Sequence, residues 1–291
     1  VKAAKFDLDV PVSLKNALLG LRADTLISKV IAGSQSLGPM LNLRLVRPNC
    51  LFDISSISDL RDVTIDHGKI RIGACVTHAE IEDGVFAALR DHPWQHVAAT
   101  IAYRSVRNRG TVGGSIAHAD PAADWILAAT AMNAEVQIVR LDQTDNSLMG
   151  RIVPMNKFML AAYTTALEET EIIHQIILPQ PSINSCWGYY KFCRKVGEFA
   201  QASSAVYFDE VNKIANIAIG ALDGPPKLLG SLAKKILESS WNQKNRIDKL
   251  DIIQAEVSNV LADRDTADQK MYVTAINRAL NKAFNREGDH E

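Results

Sequence analysis

Val106-Arg107-Asn108-Arg109-Gly110-Thr111-Val112-Gly113-Gly114-Ser115, followed by His118-Ala119-Asp120-Pro121, is the stretch that decides how this 291-residue chain is read. Its clustered glycines interrupt any helical pattern, so residues 107–115 are expected to be irregular backbone. A helix is then expected to restart with Asp120 at the N-cap and Pro121 at the first helical position. Successive N–H groups in a glycine-rich turn can converge into an anion-binding nest. A second such turn, Gly33-Ser34-Gln35-Ser36, follows the apolar Val30-Ile31-Ala32. It opens a predicted helix over residues 37–43, whose N-terminus favours negative charge. Ser34, Ser36, Thr111 and Ser115 add hydroxyl donors. Taken singly, each turn reads first as a tight turn, and neither matches G-x-G-x-x-G or a Walker loop. Two nests facing each other would suit a pyrophosphate.

Outward from these turns, residues 6–10, 29–32 and 50–54 read as strands. Residues 14–21 read as a helix with Ser13 as its N-cap. Residues 63–65 and 70–72 flank Asp66-His67-Gly68-Lys69, a hairpin signal. Residues 77–89, 93–103 and 125–134 look helical, and residues 135–141 look like a strand followed by a polar turn over 142–147. The pattern changes at Pro179-Gln180-Pro181, the best candidate boundary. Beyond it, residues 189–196, 203–210 and 213–222 read as three strands and three helices close the chain. The last of these aligns Tyr272, Ile276, Leu280 and Phe284 on one face.

Composition narrows the function classes. Lys and Arg total 32 against 33 Asp and Glu, a formal net charge of -1, which argues against a nucleic-acid binder that works by neutralising many phosphates. Hydrophobic residues make up 47% and charged residues 22%, enough apolar side chain for a sizeable core. No run is long and apolar enough to read as a membrane span. The opening Val1-Lys2-Ala3-Ala4-Lys5 carries no secretory pattern, so a cytoplasmic protein is expected. Cys50, Cys75, Cys186 and Cys193 form no C-x-x-C pair, so the chain is expected to carry no metal cluster and to keep reduced, mostly buried thiols. His118 and Asp120 lack a third ligand. No Ser-His-Asp or Cys-His set assembles, and no residue is assigned a catalytic or metal-binding role.

Two segments carry a family resemblance. Val30-Ile31-Ala32-Gly33-Ser34-Gln35-Ser36-Leu37, with Leu43-Arg44-Leu45 and Arg47-Pro48, resembles the first flavin segment of the FAD-binding medium subunit of molybdenum hydroxylases, the group that includes carbon monoxide dehydrogenase and xanthine dehydrogenase. Residues 106–115 with His118-Ala119-Asp120-Pro121 resemble its second. The likeness runs from Phe6 to the last helix, and Ser34 departs from it by standing where the family usually has a second glycine.

The resemblance implies an α+β fold. Its FAD-binding domain has two lobes, a small α/β lobe over residues 1–56 and a larger α+β lobe over residues 57–178. A C-terminal flavoprotein domain with a three-stranded antiparallel sheet and helices covers residues 179–291. It assigns Ile31, Ala32, Gly33, Ser34, Gln35, Ser36 and Leu37 to the flavin diphosphate, together with Thr111, Gly113, Gly114 and Ser115. Asp124 matches the acidic residue that meets the ribityl or ribose hydroxyls. Ile101, Leu167 and Lys191 match residues beside the flavin ring, and Tyr189 is placed near its face. Outside the resemblance, Asp124 reads equally as a first-turn helix carboxylate, Ile101 as core, Lys191 as a solvated strand lysine and Tyr189 as packing. Arg107 and Arg109 read as solvated charges.

The function implied is that of an oxidoreductase subunit. It holds FAD and passes electrons from two [2Fe-2S] clusters on a small partner subunit to an external acceptor. A large partner subunit with the molybdopterin cofactor hydroxylates the substrate. A dimer of heterotrimers, with no nucleic acid and no membrane span, completes the expectation. The competing readings are a stand-alone FAD-dependent oxidoreductase and a non-redox nucleotide- or anion-binding module. The first predicts no metal-bearing partner and the second predicts no flavin.

Overall fold

Strands and helices alternate from the N-terminus because parallel neighbours need crossovers between them. The computed structural model describes residues 2–23, 27–238 and 246–284. β1 (Asp7–Asp9), α1 (Leu14–Ala23), β2 (Ser28–Ile31), α2 (Leu37–Asn42) and β3 (Cys50–Asp53) come first. The strands pair in parallel in the order β1-β3-β2. Ser13 caps α1 as its sequence position suggests, its Oγ accepting from the Asn16 N–H at 3.2 Å. Leu14, Ala17, Leu18 and Leu21 turn one apolar stripe into a core with Phe52, Ile54 and Leu60.

β4 (Val63–Asp66) and β5 (Lys69–Gly73) form the expected hairpin. His67 and Gly68 at its tip have φ of 48° and 71°, as a two-residue turn matched to strand twist requires. Five short helices follow: α3 (His78–Glu82), α4 (Pro93–Thr100), α5 (Arg104–Arg107), α6 (Val112–His118) and α7 (Asp124–Ala131). Next come β6 (Glu135–Leu141), β7 (Leu148–Pro154), α8 (Met155–Phe158), β8 (Met159–Ala161), β9 (Thr164–Thr165) and β10 (Ile172–Pro179). The larger sheet is antiparallel, in the order β4-β5-β10-β6-β7. Its central strand β10 is a run of buried Ile172, Ile173, Ile176, Ile177 and Leu178. A strand covered on both faces loses the polar alternation by which sequence reading finds strands.

Four sequence expectations in this region are corrected. The helix foreseen over residues 77–89 stops at Glu82, because Gly84 adopts a left-handed φ of 59°. That foreseen over residues 93–103 stops at Thr100, and Ala102 is left-handed at 43°. Residues 107–115 are not irregular throughout: α5 ends at Arg107 and α6 begins at Val112, with Thr111 as its N-cap. The helix expected to start at Asp120 and Pro121 starts at Asp124 with Ala123 as its N-cap. Asp120 instead accepts from the Tyr163 hydroxyl at 3.4 Å.

The chain divides into two compact units, Val1–Asp120 with Ala134–Gln180, and Pro121–Asn133 with Pro181–Glu291. The second unit contains α7, β11 (Cys186–Phe192), β12 (Ala202–Asp209), β13 (Ile214–Gly220), β14 (Lys227–Leu228), α9 (Gly230–Glu238), α10 (Arg246–Val260) and α11 (Thr266–Phe284). Its antiparallel sheet runs β11-β12-β13-β14, so the three expected strands gain a fourth of two residues. On α11, Tyr272, Ile276 and Leu280 are buried in this unit's core, and Phe284 packs against it. Among the described residues no helix is long and apolar enough to cross a membrane, and no cluster of His, Cys, Asp and Glu is arranged to hold a metal ion. Cys75 is buried, and its thiol is pushed up to about 12 by desolvation.

Candidate functional site

The turn after β2 keeps its donors open. Ser34 has a φ of 63°, so the serine takes the left-handed conformation that its glycine-like position demands. The Ser34 and Ser36 carbonyls accept from the N–H groups of Gly38 and Met40 as α2 begins. Among the described residues, no hydrogen bond occupies the N–H groups of Ser34, Gln35, Ser36 and Leu37. The Gln35 side chain donates back to the Gly33 carbonyl at 2.9 Å, closing the turn on itself. Ile31 ends β2 and its carbonyl accepts from Ile54, while Ala32 packs partly buried against the core beneath the turn.

The second glycine segment is built differently. The Val112 and Gly113 N–H groups donate to the carbonyls of Val76 and Ala74 at 3.0 and 2.9 Å. Gly114 donates to the Thr111 hydroxyl at 3.1 Å and Ser115 to the Thr111 carbonyl at 3.0 Å. The expected second nest is therefore already filled by partners within the protein. Its glycines serve close approach instead: a Cβ on Gly113 would stand 2.5 Å from the Ala74 Cβ.

The two segments do meet. A Cβ on Gly33 would lie 2.0 Å from the Arg109 carbonyl oxygen and 2.8 Å from the Gly110 Cα. Backbone thus rests on backbone, and the open donors of residues 34–37 begin one residue beyond that contact. This arrangement fits the diphosphate of a nucleotide cofactor, with free N–H groups, a glycine seat and no need for basic side chains.

The surrounding segment is held by charge. Thr77 and Glu80 form a reciprocal capping box at the start of α3, a Thr-x-x-Glu signal legible in the sequence. The His78 N–H donates to the Gly110 carbonyl at 2.9 Å. Burial, aided by the Arg107 charge, pushes the His78 imidazole down to about 3. Arg107 is not the solvated charge expected, since its side chain is 12% exposed and paired with Glu82 at 2.7 Å. Arg109 is exposed, as expected. Ile101 caps the end of α4 and is half-buried. Leu167, also half-buried, follows β9, its N–H donating to the Thr165 hydroxyl at 3.2 Å.

Within the second unit, Asp124, Tyr189 and Lys191 form a buried polar cluster. The Tyr189 hydroxyl donates to Asp124, and the Lys191 ammonium stands 3.0 Å from the same carboxylate, both side chains 6% exposed. Burial pushes the Asp124 carboxyl upward, against the opposing pull of Lys191 and Tyr189. Desolvation and the adjacent carboxylate hold the Tyr189 phenol well above its ordinary value. Tyr189 also stacks on Trp187, their rings 3° from parallel. Lys191 is thus a buried ion-pair partner and not a solvated strand lysine.

Comparison with known proteins agrees with the geometry. Residues 4–181 match the model of the FAD binding domain in molybdopterin dehydrogenase. The chain is 34% identical over 227 residues to the 6-hydroxypseudooxynicotine dehydrogenase complex subunit alpha of Paenarthrobacter nicotinovorans, covering 77% of this chain and 74% of that protein. It is 31% identical over 226 residues to the carbon monoxide dehydrogenase medium chain of Hydrogenophaga pseudoflava, covering 77% of each. A solved structure of carbon monoxide dehydrogenase from Hydrogenophaga pseudoflava superposes with a TM-score of 0.83 at 27% identity, over 99% of this chain and 100% of that one.

Proposed function

Because this chain belongs to the family of FAD-binding domains of molybdopterin dehydrogenases, we propose that it is the flavin relay of a three-subunit molybdenum hydroxylase. It is the FAD-binding medium subunit type of that family, an oxidoreductase component whose own cofactor is FAD. The finer reading concerns partners and route. A small subunit with two [2Fe-2S] clusters feeds electrons in, and a large subunit with the molybdopterin cofactor oxidises the substrate. When bound, FAD supplies a redox centre that fills one electron at a time and empties to an external acceptor. The complex is a cytoplasmic dimer of heterotrimers.

The observation that carries the cofactor assignment is the row of N–H groups from Ser34 to Leu37 that have no acceptor among the described residues, seated by Gly33 on the Arg109–Gly110 backbone. These groups donate to the diphosphate, and the N-terminus of α2 adds its positive end. Ile31 and Ala32 fix the start of the turn. Thr111, Gly113, Gly114 and Ser115 form the wall opposite through their packed backbone, and the Thr111 hydroxyl keeps its own proton to donate. Ile101 and Leu167 are the apolar neighbours of the flavin ring. Asp124 accepts from ribityl or ribose hydroxyls, and Lys191 and Tyr189 orient its carboxyl group. In this reading residues 1–56 and 57–178 are the two FAD-binding lobes and residues 179–291 the C-terminal flavoprotein domain.

The test is direct. Co-expressed with its partners, the purified protein should show flavin absorbance and should regain it with FAD after stripping. A preparation without flavin bands that takes up no FAD sinks the assignment. Affinity capture of the chain should recover molybdenum- and iron-bearing subunits; a chain that retains FAD yet captures neither sinks the relay reading.

A further inference from the structure

All three guanidinium nitrogens of Arg107 donate hydrogen bonds. Nε and Nη2 donate to the two oxygens of Glu82 at 2.7 and 3.0 Å. Nη1 donates to the carbonyls of Ile101 and Ala102, each at 2.9 Å. Ala102 has a φ of 43°, a left-handed conformation that is unfavourable for an alanine and that these two bonds hold in place. Glu82 ends α3, and the other end of α3 donates from His78 to the Gly110 carbonyl. The Gly110 N–H in turn donates to the Val106 carbonyl at 2.7 Å. The same short helix therefore grips residues 101–110 at both ends. The Arg109 carbonyl and the Gly110 Cα of that segment are the surface on which Gly33 rests. Only a planar fork satisfies a bidentate carboxylate and two carbonyls at once; a lysine supplies charge without that geometry.

We propose that the Glu82–Arg107 clamp is a positioning device for the cofactor site. It sets residues 101–110 so that the Ser34–Leu37 donors and Ile101 stand ready for the flavin nucleotide. The inference rests on the FAD reading above. Arg107 is a positioning residue that acts through the segment it braces.

The experiment uses the complete assembly carrying Arg107→Met, Arg107→Lys or Glu82→Gln. The control is Arg264→Met, which removes an arginine–carboxylate pair with Asp223 at 2.6 Å but no bond to Glu82 or to residues 101–110; Arg104 is unsuitable because it also donates to Glu82 at 2.9 Å. Each protein is stripped of flavin, titrated with FAD by fluorescence, and its visible circular dichroism recorded at saturating FAD. Both Arg107 variants should lose roughly ten- to hundredfold in FAD affinity, the worth of a charge-assisted hydrogen bond or two. Their flavin dichroism should change even at saturation, Glu82→Gln should follow in the same direction, and Arg264→Met should match the wild type. Loss of melting temperature alone, with wild-type affinity and dichroism in the Arg107 variants, overturns the proposal. If Arg107→Met does not fold, Arg107→Lys makes the same comparison. Wild-type protein that takes up no FAD overturns the cofactor reading itself, and this inference with it.

Discussion

Ser34 shows how one residue can carry a conformational cost for a site. Its left-handed φ of 63° costs about 1–2 kcal/mol relative to an ordinary conformation, while glycine there would pay about 0.5–1 kcal/mol in added chain entropy. Ser34→Gly is therefore expected to stabilise the protein by about 0.5–1 kcal/mol in urea unfolding, with FAD retained; a lower midpoint would contradict the strain argument. The position was recognisable because the family usually has a glycine there, whereas the burial of Lys191 was not. Its local sequence fits a solvated strand residue equally well, and only the fold supplies Asp124 as its partner. Removing one member of a buried pair leaves an uncompensated charge. Lys191→Met should thus destabilise the second unit by about 3–5 kcal/mol, read as an early phase in denaturant unfolding. A loss under 1 kcal/mol would place that carboxylate in water.

Elements are packed here through glycines at chosen points. Gly188 on β11 lies under α11, where an added Cβ would stand 1.8 Å from the Ala279 carbonyl oxygen. That oxygen belongs to helix backbone and cannot rotate away. Gly188→Ala should cost about 1–3 kcal/mol or more by overpacking, seen as a fall in melting temperature, and an unchanged value would mean that α11 shifts freely. Strands with one buried face, helices with capping signals and a tight hairpin turn were legible along the chain, as β6, α1 and the β4–β5 hairpin show. The start of α6 was not. Three glycines argue against a helix on propensity, yet α6 begins among them because Thr111 caps it and Ala74 leaves no room for a side chain. β10 carries no alternating strand signal because its apolar residues have no period of two.

At the scale of the molecule, buried histidines set the acid limit. Burial pushes His78 down to about 3 and His92 to about 4, so both stay neutral in the native state while the unfolded chain protonates them near 6.5. As pH falls below about 6.5 the unfolded state binds protons that the native state refuses. Stability present above that pH is then lost at up to about 1.4 kcal/mol per pH unit for each histidine. The urea midpoint should fall between about pH 7 and pH 5. His92→Asn, which can still cap α4 as the His92 ring does, should make that fall shallower; an equal slope would mean that other groups carry the acid sensitivity. By itself the sequence determined the periodicity of most elements, a near-neutral charge that leaves phosphate binding to backbone, and two glycine segments of a recognisable family. Tertiary structure decided which of those segments still has donors to offer. A backbone N–H is free or engaged according to carbonyls brought from far along the chain, and Val76 and Ala74 engage the second segment while, among the described residues, no acceptor engages the N–H groups of Ser34 to Leu37. The same long-range reach turns Arg107 from a surface charge into a brace.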